Sequence, residues 1–201
     1  MRVPGLFQFR ILREAVRALI FGPYTNRYPF TPTKVPPGFR GKPQFYEKDC
    51  VGCGACSEVC PARAIEIIDD LKAKTRTLVH HQDQCVYCQQ CEKSCITEKG
   101  IKLTAEYDLA TYDRFQATTR SVKKLVICEH CGGVLAPEDQ LRFLAKKVGH
   151  LLYANPTLLM ARGAELKLYS SRPENTPHQR GGHLRLLCPT CRREMIVNEQ
   201  W

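Results

Sequence analysis

The sequence predicts an α+β fold of short strands and helices, and three observations predict it. Two cysteine quartets repeat one spacing between Cys50 and Cys95. An amphipathic segment and a proline-rich arm precede them. Two further C-x2-C pairs, well separated in the chain, follow them.

The quartets carry most of the argument. They read Cys50-x2-Cys53-x2-Cys56-x3-Cys60-Pro61 and Cys85-x2-Cys88-x2-Cys91-x3-Cys95, offset by 35 residues at every cysteine. This is the spacing with which bacterial two-cluster ferredoxins hold a pair of 4Fe–4S cubanes. A cubane has four iron corners, each suited to one soft thiolate. Three cysteines on a tightly curled loop can cap three corners, and in such ferredoxins the fourth cysteine ligates the other cluster. The expected sets are therefore Cys50, Cys53, Cys56 and Cys95 for the first cluster, and Cys85, Cys88, Cys91 and Cys60 for the second. Disulfides belong to oxidising compartments, and nothing in the chain indicates export. Zinc sites usually read as separated C-x2-C pairs rather than as quartets.

The two copies differ. Gly52 and Gly54 supply positions where a positive φ costs little, whereas the second loop has Tyr87 and Gln89 there. Pro61 follows Cys60, but Ile96 follows Cys95, and the second exit is one residue longer. Different hydrogen bonding to the two clusters, and different potentials, are expected.

With 201 residues, 43% hydrophobic and 25% charged, the chain can fold as one or two domains. Its twelve cysteines, spaced for metals, suit a reducing cytoplasm. The formal charge of +10 overstates its basicity, because three sites of charge −2 reduce it to +4. A nucleic-acid-binding function loses its electrostatic basis with that correction.

Taken in order, residues 5–21 read as an amphipathic helix. Leu6, Phe7, Ile11, Leu12, Ala15, Val16, Leu19 and Ile20 recur at helical spacing, with Arg10, Arg13, Glu14 and Arg17 between them. Gly22-Pro23 stops it. Its charges exclude a membrane span, which needs about 20 apolar residues. It is expected to lie on a membrane surface or a membrane subunit, with packing on the chain's own core as the plainer alternative. Pro23, Pro29, Pro32, Pro36, Pro37 and Pro43 make the following arm extended. Its aromatics, Tyr24, Tyr28, Phe30 and Phe39, suggest that it runs along a partner.

The cluster domain is placed at residues 43–106, with strands at Ile65–Ile68, Thr75–Val79 and Ile101–Leu103. His80 and His81 are expected to be exposed hairpin residues rather than ligands. A short helix is expected over 106–118 and a strand over 123–127. Cys128-x2-Cys131 and Cys188-x2-Cys191, each after an apolar stretch expected to be a strand, read as a four-cysteine zinc-ribbon-like site, with iron as the alternative metal. His130 is read as a bystander or a residue that supports the ligands, rather than as a ligand. Between the knuckles, a helix is expected from Pro137 to Leu152, a short one near Pro156–Met160, and a mobile loop from Ser170 to Gly182. Arg180, Arg185, Arg192 and Arg193 read as a solvated face. The domains are thus residues 1–22, 23–42, 43–106 and 107–201.

The chain resembles the two-cluster ferredoxin-like subunit of formate hydrogenlyase and related hydrogenase 4-type complexes. The residues that carry the resemblance are Phe39-Arg40-Gly41-Lys42-Pro43-Gln44, the two quartets, Glu106-Tyr107-Asp108-Leu109-Ala110 and the C-terminal cysteine pairs. It also resembles the equivalent subunit of complex I, which lacks those pairs. The departures are the missing proline after Cys95, Gln89 where the family often has glycine, and the long insert between the knuckles.

The resemblance implies a peripheral subunit on the cytoplasmic side of the cell membrane, within a group 4 nickel–iron hydrogenase complex. It implies hydrogenase small and large subunits and a membrane subunit as partners. Formate dehydrogenase or a ferredoxin would be the donor module. The implied role is non-catalytic relay of single electrons. A complex I-like or sulfur-reducing assembly without nickel is the alternative.

Overall fold

Repetition in the cysteines becomes repetition in the backbone. The computed structural model describes residues 9–22, 25, 28–166, 168 and 185–198. Gly52 (φ 71°) and Gly54 (φ 83°) are left-handed, and so are Tyr87 (φ 50°) and Gln89 (φ 71°), 35 residues later. Arg63 (φ 50°) and Glu98 (φ 61°) continue the correspondence. Both loops therefore curl in the same way, although only the first has glycine where the curl needs it. Each curl opens a single helical turn, α2 (Ala55–Glu58) after Gly54 and α3 (Gln90–Lys93) after Gln89.

Each turn is tied to a strand. Ser57 Oγ donates to Ile65 O at 2.6 Å, and at the matching position Glu92 Oε2 accepts from Leu103 N at 3.0 Å. β1 (Pro43–Phe45) pairs antiparallel with β4 (Ile101–Leu103). Gly41 and Lys42 extend this pairing, with Gly41 N donating to Thr104 O and Lys42 N to Glu106 O. A Cβ on Gly41 would lie 2.4 Å from Glu106 O, so only glycine fits there. This contact joins the Phe39–Gln44 and Glu106–Ala110 segments singled out in the sequence.

The larger sheet has the order β2-β3-β5-β6, all antiparallel. β2 (Ile65–Asp70) and β3 (Thr75–His81) form a hairpin whose turn is braced by Asp70 Oδ1, which accepts from Lys72 N and Ala73 N. β5 (Thr118–Ile127) lies on the other side of β3, and β6 (Val134–Pro137) follows it. The sheet thus crosses the boundary expected after residue 106, and residues 40–201 form one compact unit. The core beneath it is built from Phe45, Cys56, Ile65, Leu78, Cys91 and Ile101.

Three expectations need correction. No helix forms over 106–118; only Arg114–Ala117 make a short 3-10 turn, which Asp113 Oδ1 caps through Phe115 N. Thr111 Oγ1 bonds to Asp113 as well, and such side-chain-to-backbone bonds compete with a helix. The strand expected from Lys123 begins earlier, at Thr118, because β3 offers a full edge for pairing. Before the second knuckle, residues 185–188 form no strand, and Pro189 instead opens α6 (Pro189–Asn198), consistent with its preference for a first helical turn. Leu184, Arg180 and the expected loop Ser170–Gly182 lie outside the described residues.

α4 (Glu138–Val148) has Glu138 and Asp139 at its positive end and Lys146 and Lys147 in its last turn. A 3-10 stretch, Gly149–Ala154, leads to α5 (Pro156–Glu165), whose first turn Asn155 caps through Leu158 N. Arg142 binds Glu138, Asp139 and Glu165, linking α4 to α5.

The N-terminal unit, residues 1–39, is a body of its own. Its helix, α1 (Phe9–Phe21), has no buried residue, and Phe9, Leu19 and Phe21 are each more than 80% exposed. Leu6, Phe7, Pro23 and Tyr24 lie outside the described residues. From Tyr28 to Lys42 the arm contains turns and irregular backbone, without helix or strand. No helix among the described residues is long and apolar enough to cross a membrane.

Candidate iron–sulfur and metal sites

Two cavities lie against the cysteine loops. Cys50, Cys53, Cys56 and Cys95 line the first, with Phe45, Leu78 and Ile101. Cys60, Cys85, Cys88 and Cys91 line the second, with Pro43, Ile65 and His80. The fold thus brings the last cysteine of each quartet to the cavity of the other loop. Between them, Cys56 and Cys91 are buried close enough for the Cys91 thiolate to raise Cys56.

Four of these thiols resist ionisation without a cation. Burial, helped by the neighbouring Cys50, Cys53 and Cys91 thiols, pushes Cys56 up to about 12. Burial likewise lifts Cys91 to about 11, against a hydrogen bond from the Glu92 N–H. Cys50 and Cys85 are raised by burial too. Buried thiols crowded together in this way suit cationic iron, which binds the deprotonated form. Cys95 shifts the other way. Burial raises it, but the Thr97 hydroxyl and the Thr97, Gly100 and Ile101 amides outweigh burial and lower it.

The surroundings of the cavities differ. Around the first, Lys123 on β5 lowers Cys50 against burial, and Arg76 on β3 is near enough for the Cys53 thiolate to raise it. The Lys123 ammonium is almost buried; it donates to Glu47 O and lies 3.1 Å from Asp139. Arg76 is held by both oxygens of Asp69 and donates to Gly52 O. The buried Ser121 hydroxyl lies beyond strict hydrogen-bond geometry to Cys50, yet near enough to lower its thiol. Around the second, Ala64 N donates to Cys60 Sγ at 3.2 Å and Tyr87 N to Cys85 Sγ at 3.4 Å.

His80 corrects an expectation. It is not an exposed hairpin residue but is 1% exposed, and it lines the second cavity. Burial first, then His81 and Lys42, lower it to about 4, so its ring is neutral. The sequence held a signal for this placement. Extending the strand past Val79 puts His80 on the face of Leu78. Lys123 and Ser121 had no such local signal, because they reach the first cavity only through β3–β5 pairing.

The C-terminal quartet is built differently. Cys128, Cys131, Cys188 and Cys191 are the one thiol quartet among the described residues whose Sγ atoms all lie within 4.8 Å of one another. Cys131 Sγ and Cys188 Sγ are 3.8 Å apart. With a metal–sulfur bond of about 2.3 Å, a regular tetrahedron spaces its sulfurs about 3.8 Å apart. Four thiols this close fit one ion, whereas the two other quartets line separate cavities without gathering this tightly. Backbone amides of Cys188, Gly133 and Cys191 point at Cys128, Cys131 and Cys188 sulfurs respectively. Burial raises Cys128, but amides of Cys131, Cys188 and His130 overcome it and lower the thiol to about 6. His130 and Glu194 also have ligand atoms within 4.8 Å of Cys191 Sγ, so His130 stands beside the four thiols.

Two paired, tightly curled cysteine loops around adjoining cavities define an iron–sulfur electron carrier. Residues 49–99 match the 4Fe–4S dicluster domain. Formate hydrogenlyase subunit 6 of Escherichia coli (strain K12) is 29% identical over 142 residues, 71% of this chain and 77% of that protein. NAD(P)H-quinone oxidoreductase subunit I of Picosynechococcus sp. is 34% identical over 99 residues. That match covers 47% of this chain and about half (48%) of that relative. Among solved structures, the membrane-bound sulfane sulfur reductase, an archaeal respiratory membrane complex, has a similar chain. It is 25% identical over 58% of this chain and 61% of its own length, with a TM-score of 0.40. The chain is an iron–sulfur electron-transfer protein related to formate hydrogenlyase subunit 6 and to subunit I of the quinone oxidoreductases.

Proposed function

We propose that the chain is the electron-relay subunit of a membrane-bound hydrogenase complex of the formate hydrogenlyase type. It passes single electrons from a donor module, formate dehydrogenase or a ferredoxin, towards the nickel–iron hydrogenase small subunit. The observation that carries this reading is the reach of the relationship to formate hydrogenlyase subunit 6. It spans 142 residues, far beyond the dicluster segment at 49–99.

When bound, each 4Fe–4S cluster supplies one-electron redox chemistry. Cys50, Cys53, Cys56 and Cys95 hold the first, and Cys85, Cys88, Cys91 and Cys60 hold the second. The shared cavity linings support this crossed assignment. Cys128, Cys131, Cys188 and Cys191 hold zinc, with iron as the alternative, in a structural role. The compact sulfur spacing and four-thiol donor set support a single ion. Catalysis lies in the partner subunits. The exposed apolar residues of Phe9–Phe21, interleaved with Arg10, Arg13 and Arg17, support peripheral attachment to a membrane subunit or the cytoplasmic membrane surface.

The relationship to a quinone oxidoreductase subunit favours a second reading, the equivalent position in a complex I-like or sulfur-reducing assembly without nickel. Metal analysis of the complex that co-purifies with the chain, in mild detergent without oxygen, separates the two. Nickel with abundant iron and some zinc is expected. An intact complex with iron and zinc but no nickel moves the assignment to the second reading.

A further inference from the structure

One face of β3 walls both cavities. Leu78 meets the first and His80 the second, two residues apart on the pleat. Both side chains are 1% exposed. Leucine needs no polar partner, but histidine does, and neither Nδ1 nor Nε2 of His80 has one. Leaving a buried polar group unpaired costs about 1–3 kcal/mol, and native proteins rarely leave one so. Filling the space does not require an imidazole, since Leu78 closes the equivalent wall without one. Directly across the strand pair, Thr119 faces His80 and Ser121 faces Leu78. Their buried hydroxyls also lack partners. The orphaned groups gather on the face that borders the cavities.

A neutral imidazole offers one N–H donor. The cavity it borders is lined by four cysteines, and an iron–sulfur cluster presents sulfur acceptors. We infer that His80 donates a ring N–H to a sulfur of the cluster bordered by Cys60, Cys85, Cys88 and Cys91, and thereby raises its reduction potential. Added negative charge on reduction strengthens such a bond, so the donor favours the reduced state. His80 neither ligates iron nor carries electrons; it is a positioning residue. The inference rests on the two-cluster assignment above.

The test is a potentiometric EPR titration of the full chain, purified without oxygen, with the signals assigned by cysteine variants. His80→Leu is expected to lower the second cluster's midpoint. The reduced-to-oxidised ratio at fixed potential should fall about tenfold, equivalent to about 59 mV for one electron. The first cluster should not move. His80→Asn, which keeps an N–H, should recover most of the shift. Unchanged potentials in His80→Leu, with both signals present, would overturn the inference alone. Equal shifts in the Leu and Asn variants would do the same, by assigning the effect to packing. Should either variant lose the second cluster, ENDOR of unsubstituted protein labelled with ¹⁵N-histidine decides. A ¹⁵N coupling to the reduced second cluster, absent from the first and retained in His81→Gln, supports the bond, and its absence overturns it. Unsubstituted protein without a second-cavity signal would instead sink the cluster assignment beneath the inference.

Discussion

The two cavities share one frame and differ in what the frame brings to them. Each has a curled loop, a single helical turn, a strand residue of β1 and a residue of β3. The first receives cations, Lys123 and Arg76, and an apolar wall at Leu78. The second receives the neutral ring of His80. The first loop is relaxed by glycines, while the second holds Tyr87 and Gln89 in the same left-handed conformations. A duplicated scaffold can thus form two cavities while strands outside the duplication make them unequal.

The largest effect comes from exchanging the ends of the quartets. Cys95→Ser should abolish the EPR signal of the cluster on the Cys50 loop, and Cys60→Ser that of the cluster on the Cys85 loop. Each variant should lose about half of the cluster iron, since each cluster holds four irons. Loss of the cluster on the mutated residue's own loop would overturn the crossed assignment.

A smaller effect tests the electrostatic contrast. In the unsubstituted protein, the first cluster should have the higher potential, because nearby positive charge favours its reduced, more negative state. Lys123→Met should lower that potential by about 59 mV, a tenfold change in the redox ratio, and leave the second unmoved. An equal shift of both clusters in a redox titration would mean that Lys123 acts through the fold.

The smallest effect concerns backbone strain. A left-handed non-glycine residue costs about 1–2 kcal/mol. Glycine also gains freedom in the unfolded chain, which returns part of that. Tyr87→Gly and Gln89→Gly should each stabilise the second loop by roughly 0.5–1 kcal/mol. Slower loss of the second cluster to a chelator is the expected readout. Faster loss would show that the Tyr87 or Gln89 side chain protects the cluster by more than its backbone strain costs.

The cysteine loops were legible in the sequence because their chemistry is local, with ligand spacing and curl lying within a few residues. The contrast between the cavities was less legible because it comes from β3 and β5. Lys123 lies 73 residues from Cys50 and reaches it only by pairing opposite Arg76. At the second knuckle, the apolar stretch before Cys188 suggested a strand, while Pro189 signalled the helix that forms. The expected helix over 106–118 had apolar residues at suitable intervals. Thr111 and Asp113, whose side chains bind their own backbone, were the contrary signal. In the C-terminal quartet the cysteines were legible and their compact geometry was not, since Cys188 reaches Cys131 across a long insert.

The shared face of β3 also bears on tolerance to insertion and deletion. A one-residue slip of β3 would turn Leu78 and His80 away from the cavities together. A two-residue slip would keep every side chain on its face and could preserve the ladder. It would put Leu78 at the place of His80 and Arg76 at the place of Leu78. The first cavity would gain a guanidinium where it now has a hydrocarbon wall, and the second would lose its imidazole. The length of the turn at residues 71–74 therefore matters beyond its own geometry: it keeps each cavity's wall at its own charge and polarity.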